Sequence, residues 1–93
     1  MSKDSGAGGL VARCRARSGT TAELKVLDIS AGGCMVEFRG WSARQGDRVL
    51  VTLPGLASQP GELVWIEDDK AGIALEQPLY AAVLEGLQAQ MAA

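Results

Sequence analysis

The chain has 93 residues, of which 47% are hydrophobic and 22% charged, enough for one globular domain and too few for two. It contains no histidine and only two cysteines, which excludes Ser-His and Cys-His catalysis and leaves too few ligands for a zinc site. No apolar run approaches a transmembrane length, and residues 1–9 lack the apolar centre of a signal peptide. We expect a cytoplasmic protein with no enzymatic activity, catalytic residue, bound metal or other cofactor, and no membrane partner.

The charges are distributed unevenly along the chain. Residues 1–44 carry seven basic and four acidic side chains, whereas residues 45–93 carry two basic and seven acidic ones, for a net charge of −2 overall. The acidic balance argues against binding to a nucleic-acid polymer. The asymmetry favours a localised basic surface for a small anion or an acidic partner, and two ordinarily solvated faces are the simpler alternative.

The periodicity of the chain predicts its elements in order. Residues 1–9 are polar, glycine-rich and aperiodic, which predicts a flexible N-terminal tail. Period-two alternation between turn signals then predicts six strands, over residues 10–17, 22–29, 34–38, 47–53, 62–67 and 73–76. Six short strands joined by short connections predict an antiparallel sandwich or small barrel over residues 10–76.

The period changes after the last predicted strand. Pro78 suits the first turn of a helix, and apolar residues then recur every four positions from Leu79 to Met91. Residues 77–91 are therefore predicted to form a C-terminal helix that packs on the strands. Gly86 costs such a helix about 1 kcal/mol relative to alanine, so packing has to stabilise it.

Two features carry candidate binding chemistry. The first is the stretch Asp28-Ile29-Ser30-Ala31-Gly32-Gly33 between two predicted strands. Its carboxylate and hydroxyl can bond backbone N–H groups, and its glycines permit positive φ, so a well-formed turn is one interpretation. The same two side chains at a rim can also recognise a planar heterocycle.

The second feature is the run of arginines in the first predicted strand. Arg13, Arg15 and Arg17 are spaced two residues apart, so they lie on one strand face at intervals of about 6.6 Å. Guanidinium groups match phosphate and the O6/N7 edge of guanine and can stack on a base. A solvated strand whose charges oppose aggregation explains the pattern equally well.

These residues resemble the motifs of the PilZ domain, the bacterial receptor module for the second messenger cyclic di-GMP. Asp28-x-Ser30-x-x-Gly33 matches the family pattern [D/N]-x-S-x-x-G, and Arg13-x-x-x-Arg17 matches R-x-x-x-R. The segments Gly61 to Trp65 and Ala71 to Leu75 resemble the closing strands of the family. The resemblance covers about residues 10 to 87. It implies an all-β, Greek-key-like barrel of six antiparallel strands with one C-terminal helix.

The resemblance also implies a ligand and a site. Asp28 and Ser30 would recognise a guanine edge of cyclic di-GMP and Gly33 would permit the turn. Arg13 and Arg17, with Arg15 as a further candidate, would clamp phosphate or stack, and binding would be relayed to an effector protein. The alternative is a barrel with an incomplete arginine motif that does not bind the dinucleotide and acts as a protein–protein interaction module.

The remaining aromatic and sulfur residues have simpler interpretations. Trp65, flanked by Leu63 and Ile66, is predicted to lie in the core rather than to stack on a ligand. Trp41 is predicted to close one end of the barrel, with a role in stacking or partner binding as the alternative. Cys14 and Cys34 fall on predicted inward faces and are expected to behave as small buried apolar residues.

Overall fold

The computed structural model describes residues 9–92, so the predicted tail lies outside the described residues apart from Gly9. The six strands are β1 (Val11–Ala16), β2 (Thr21–Ser30), β3 (Gly33–Glu37), β4 (Arg48–Thr52), β5 (Gln59–Glu67) and β6 (Lys70–Leu75). One helix, α1 (Ala81–Ala92), follows them.

The strands close into a barrel in the order β1-β2-β3-β6-β5-β4, and every neighbouring pair is antiparallel. The alternation of apolar residues left a sandwich and a barrel open. Pairing of β1 with β4 decides for the barrel, because it joins the first strand to the far side of the sheet and leaves no free edge. The predicted six-stranded antiparallel barrel with a C-terminal helix is confirmed.

Alternating residues of the strands fill the interior. In β1 the inward residues are Ala12, Cys14 and Ala16, all at most 3% exposed, while their neighbours face solvent. The barrel end near the start of β2 is closed by Trp41, which is 6% exposed and donates an indole N–H bond to the Thr20 carbonyl at 3.2 Å. Trp41 thus closes one end of the barrel, as predicted. Because its ring is buried, it does not offer a surface to a partner.

Two β-bulges change which residues face outward. In β2 the register shifts between Val26 and Asp28, and in β5 it shifts between Leu63 and Trp65. Each bulge places one extra residue on the strand, so the alternation of faces is offset beyond it. The prediction that Trp65 belongs to the core is wrong for this reason: Leu63 is fully buried, whereas Trp65 is 37% exposed.

The β5–β6 hairpin has a tighter turn than the sequence indicated. Asp68 and Asp69 occupy it with φ of 52° and 62°, the left-handed pair that a two-residue turn between twisted strands requires. Lys70 therefore already belongs to β6. At its other end β5 begins at Gln59. Pro60 has no N–H to donate to a neighbouring strand, but its carbonyl accepts a hydrogen bond from the Glu76 N–H at 3.0 Å, so the strand includes it.

The helix begins at Ala81, four residues after the predicted start at residue 77. The Leu79 N–H donates to the Ala31 carbonyl at 2.8 Å, which holds this segment against the β2–β3 turn and keeps it out of the helix. The first helical bond runs from the Leu84 N–H to the Tyr80 carbonyl at 2.9 Å. Leu87 is the helical residue that enters the core, at 3% exposure.

The two cysteines are buried in the barrel and are free thiols, as expected. Burial raises the pKa of Cys14 to about 12, with a smaller contribution from the neighbouring Cys34, and burial raises the pKa of Cys34 to about 11. Their ordinary value is 9.0. Both thiols therefore stay protonated in the folded protein at neutral pH, which makes them poor nucleophiles.

Alkaline pH should destabilise the protein through these thiols. Above pH about 9 the unfolded chain releases protons that the folded barrel retains, so the free energy of unfolding falls as pH rises toward the folded pKa values. Each thiol contributes up to about 1.4 kcal/mol per pH unit in this window. Urea unfolding at a series of pH values measures the slope. The double variant Cys14→Ala with Cys34→Ala should show a shallower decline, and an unchanged slope would contradict the assignment.

Candidate ligand-binding site

The bulge in β2 determines the orientation of the acidic residue of the predicted motif. With strict alternation Asp28 would share the inward face of Val26. The bulge offsets the strand by one residue, so Val26 and Ile29 are the buried residues, at 3% and 4% exposure. Asp28 and Ser30 both lie on the outer face as a result, two positions apart. We call the outer surface formed by Asp28, Ser30 and Gly33 the motif corner.

Local hydrogen bonds orient the two polar side chains. Asp28 Oδ1 accepts a bond from the Ile29 backbone N–H at 2.9 Å, and the Ser30 hydroxyl donates to the Gly33 carbonyl at 3.3 Å. The serine donor is thereby used within the turn, while its oxygen lone pairs and the second carboxylate oxygen remain as acceptors. The motif corner is therefore suited to a ligand that presents hydrogen-bond donors.

The glycine of the motif has a different role from the one predicted. Neither Gly32 nor Gly33 has a positive φ, so the turn does not depend on glycine for left-handed backbone. Instead β3 approaches β6 so closely that a Cβ at Gly33 would collide with the Ile73 carbonyl oxygen. Gly33 is required by the packing of backbone on backbone.

The second bulge brings an aromatic ring to the same surface. Trp65 follows the bulge in β5 and its indole lies against Gly72, where a Cβ would collide with the five-membered ring. Trp65 was missed as a candidate site residue because its alternation with Leu63 indicated the core. The glycine opposite Trp65 on the neighbouring strand indicates that the ring lies across the outer face. That pairing is known only once the hairpin register is known.

These side chains line one open cavity on the outer wall of the barrel, with a volume of about 360 Å³. Asp28, Ser30 and Gly33 form one side of it, and Val64 and Trp65 form the other, with Gly72 and Ala74 of β6 between them. The cavity thus combines a carboxylate and a hydroxyl with an apolar aromatic wall. This is the composition expected of a small-molecule site, in which a few polar groups orient a ligand held by apolar surface.

The arginines predicted to complete the site lie elsewhere on the barrel. Arg13 forms an ion pair with Glu23 at 2.9 Å on the exposed face of β1 and β2, whereas Arg15 and Arg17 line a separate cavity of about 450 Å³. Arg15 pairs in register with Thr21 at the start of β2, while Ser30 ends the same strand. Of the predicted site residues, Asp28, Ser30 and Gly33 therefore line one cavity. The arginines lie apart from that cavity.

The separation is also large in the other direction around the barrel. A continuous row of registered pairs leads from Arg48, which shares the arginine cavity, to the motif corner: Arg48–Glu62, Glu62–Ala74, Ala74–Gly33 and Gly33–Ser30. Four strand spacings amount to about 19 Å along the surface. In this direction three strands of the barrel wall thus lie between Arg48 and Ser30 of the motif corner.

The motif corner is attached to the start of the helix. The Leu75 N–H donates to the Gly32 carbonyl at 2.9 Å, and the Leu79 N–H donates to the Ala31 carbonyl at 2.8 Å. From the helix itself, the Gln88 side-chain amide donates to the Ile29 carbonyl at 3.5 Å. The β2–β3 turn is therefore hydrogen-bonded both to the segment that precedes α1 and to α1 itself.

The chain is thus a small closed barrel with one open cavity on its outer wall beside the β2–β3 turn. Residues 10–92 match the PilZ domain in a comparison with protein-family models, and the chain belongs to the PilZ domain family. PilZ domains are ligand-binding receptor domains, generally for cyclic di-GMP. No curated protein matches the chain.

Residues 9–92 contain neither a membrane-spanning helix nor a metal-binding cluster. This part of the chain has no helix long and apolar enough to cross a membrane. The same residues hold no cluster of three side chains able to bind a metal ion.

Proposed function

We propose that this protein is a receptor for cyclic di-GMP, and that the motif corner together with Trp65 recognises one of its guanines. The observation that supports the proposal is the convergence of Asp28, Ser30 and Trp65 on one cavity in a member of the PilZ family. Both bulges contribute to this convergence, since the bulge in β2 turns Asp28 and Ser30 outward and the bulge in β5 turns Trp65 outward. Bulges are found preferentially beside functional sites, where they redirect a side chain.

Guanine matches the acceptors of the motif corner. Its Watson–Crick edge presents N–H donors, and the Asp28 carboxylate and Ser30 oxygen present acceptors. Stacking on the indole of Trp65 would hold the plane of the base. Adenine presents an acceptor at the ring nitrogen of the same edge, so the corner should distinguish cyclic di-GMP from its adenine analogue.

The affinity depends on how the two phosphates are neutralised. Charge-assisted hydrogen bonds contribute about 1.5–3 kcal/mol each. A site without two arginine contacts is therefore weaker than a complete one by about two to four powers of ten. The predicted clamp of Arg13 and Arg17, with Arg15, stays a prediction, and our proposal assigns base recognition to the motif corner without it.

Calorimetric titration with cyclic di-GMP tests the proposal. We expect the wild type to bind, and Asp28→Asn and Ser30→Ala each to lower the affinity by about tenfold or more, because each removes an acceptor for a guanine donor. Arg17→Ala is the matched comparison and should change the affinity by less than about threefold.

The outcomes of this titration separate the alternatives. A large loss of affinity in Arg17→Ala would establish the arginine clamp. Equal heats with cyclic di-AMP would contradict guanine recognition. No binding by the wild type would leave the interaction module, which the separation of Arg15 and Arg17 from Asp28 favours.

We propose that α1 relays binding to the effector. Ligand at the motif corner should stabilise the β2–β3 turn and with it the bond between Leu79 and Ala31. Amide exchange measured by NMR should then slow at Leu79 by several-fold on addition of cyclic di-GMP. The Val51 amide, in β4, is the internal control, and equal changes at both amides would contradict a directed relay.

A further inference from the structure

The cavity that contains the displaced arginines has a distinct composition. Arg15, Arg17 and Arg48 surround it, and Leu50 and Pro60 form its exposed apolar floor. The register explains this arrangement, because Arg15 pairs with Leu50 and Leu50 pairs with Pro60, so all three face outward in one row. We call this surface the arginine groove.

The groove carries excess positive charge. Arg48 forms an ion pair with Glu76 and is registered with Glu62, which leaves its charge compensated. Within residues 9–92 no ion pair is formed by Arg15 or Arg17. Neighbouring guanidinium groups on one strand repel one another unless anions compensate them, so an acidic occupant would remove a cost that the free barrel bears.

The apolar floor restricts the kind of acidic occupant. Leu50 is 41% exposed and presents an aliphatic surface between the arginines. No aromatic ring lines the groove among the described residues, so it lacks the stacking surface that single-stranded nucleic acids use. An aliphatic side chain flanked by carboxylates complements both the floor and the cationic rim.

We propose that the arginine groove binds an acidic peptide segment of a partner protein. In this arrangement carboxylates of the partner pair with Arg15 and Arg17, and an aliphatic side chain between them packs on Leu50 and Pro60. The site is separate from the motif corner, so it does not depend on recognition of cyclic di-GMP.

Fluorescence anisotropy with a labelled synthetic peptide tests this surface. The probe has two glutamates on each side of a leucine, and the control peptide has glutamines in place of the glutamates. The glutamate peptide should bind at least about tenfold more tightly, and its affinity should fall when the salt concentration is raised. The double variant Arg15→Glu with Arg17→Glu should weaken binding by at least about tenfold.

The matched control is Arg39→Glu with Arg44→Glu, which changes the net charge equally at exposed residues outside the groove. It should retain binding to within about threefold, and both double variants should retain the wild-type melting temperature. Equal binding of the two peptides, or equal losses in the two variants, would overturn the proposal. Tighter binding of a single-stranded oligonucleotide than of the glutamate peptide would also overturn it.

Titration of the Arg15→Glu, Arg17→Glu variant with cyclic di-GMP distinguishes this proposal from the proposed function. Unchanged affinity for the dinucleotide together with lost peptide binding supports two independent sites. Loss of both would show that the same arginines also bind the dinucleotide and would overturn the claim that the two sites are independent.

Discussion

Gly33→Ala should destabilise the protein by about 3 kcal/mol, because a Cβ there meets the backbone carbonyl of Ile73 and not a movable side chain. Strands β3 and β6 would have to separate at the pair Gly33–Ala74, where the motif corner joins the wall of the barrel. For a domain of this size the loss corresponds to a decrease in melting temperature of about 12–24 °C. Thermal and urea unfolding measure it.

The neighbouring glycine provides the matched control. Gly32 is exposed, has no positive φ, and has no atom within 4 Å of an added Cβ. Gly32→Ala should therefore alter the free energy of unfolding by no more than about 0.5 kcal/mol. Equal losses in the two variants would mean that the turn, and not the contact with β6, requires glycine.

Trp65→Ala should reduce the affinity for cyclic di-GMP by about 5- to 150-fold. We expect this loss because an aromatic platform contributes about 1–3 kcal/mol per stacked base. The side chain lines the same cavity as Asp28 and Ser30 and is 37% exposed, so a base can reach its ring. Calorimetric titration of the variant against the wild type measures the change.

Two substitutions test whether stacking causes that loss. Trp65→Phe keeps an aromatic face and should retain most of the affinity. Val64→Ala removes an adjacent cavity-lining side chain that has no ring and should have an effect of less than about threefold. If Trp65→Ala binds as tightly as the wild type, the indole does not form the base platform, although Asp28 and Ser30 can still contact guanine.

The strands and their number were predictable because period-two alternation is a local property. The inward residues of β1, from Ala12 to Ala16, follow it without exception. The barrel was predictable only with the family resemblance, since pairing of β1 with β4 joins residues far apart in the chain. The late start of α1 was not predictable, because it depends on a bond between Leu79 and the distant Ala31.

The candidate site was predictable in part for the same physical reason. Asp28 and Ser30 are close in the chain and belong to one turn, so a short motif identified them. Trp65 reaches their cavity through the register of β5 on β6 and a bulge, which alternation does not predict. Arg13 and Arg17 match a family motif in spacing, yet β1 and the turn after it place them beside the first half of β2, whereas Ser30 ends that strand.

Local chemistry thus established the strands, the turn with its carboxylate and hydroxyl, and the absence of histidine chemistry, since these depend on side-chain type and spacing. Long-range pairing established which of those groups share a surface. Closure of the barrel and two one-residue bulges place Trp65 on the same cavity as Asp28 and Ser30 and leave Arg15 and Arg17 in a separate groove. A shift of one residue in a strand exchanges its two faces, and that shift is set by contacts between strands.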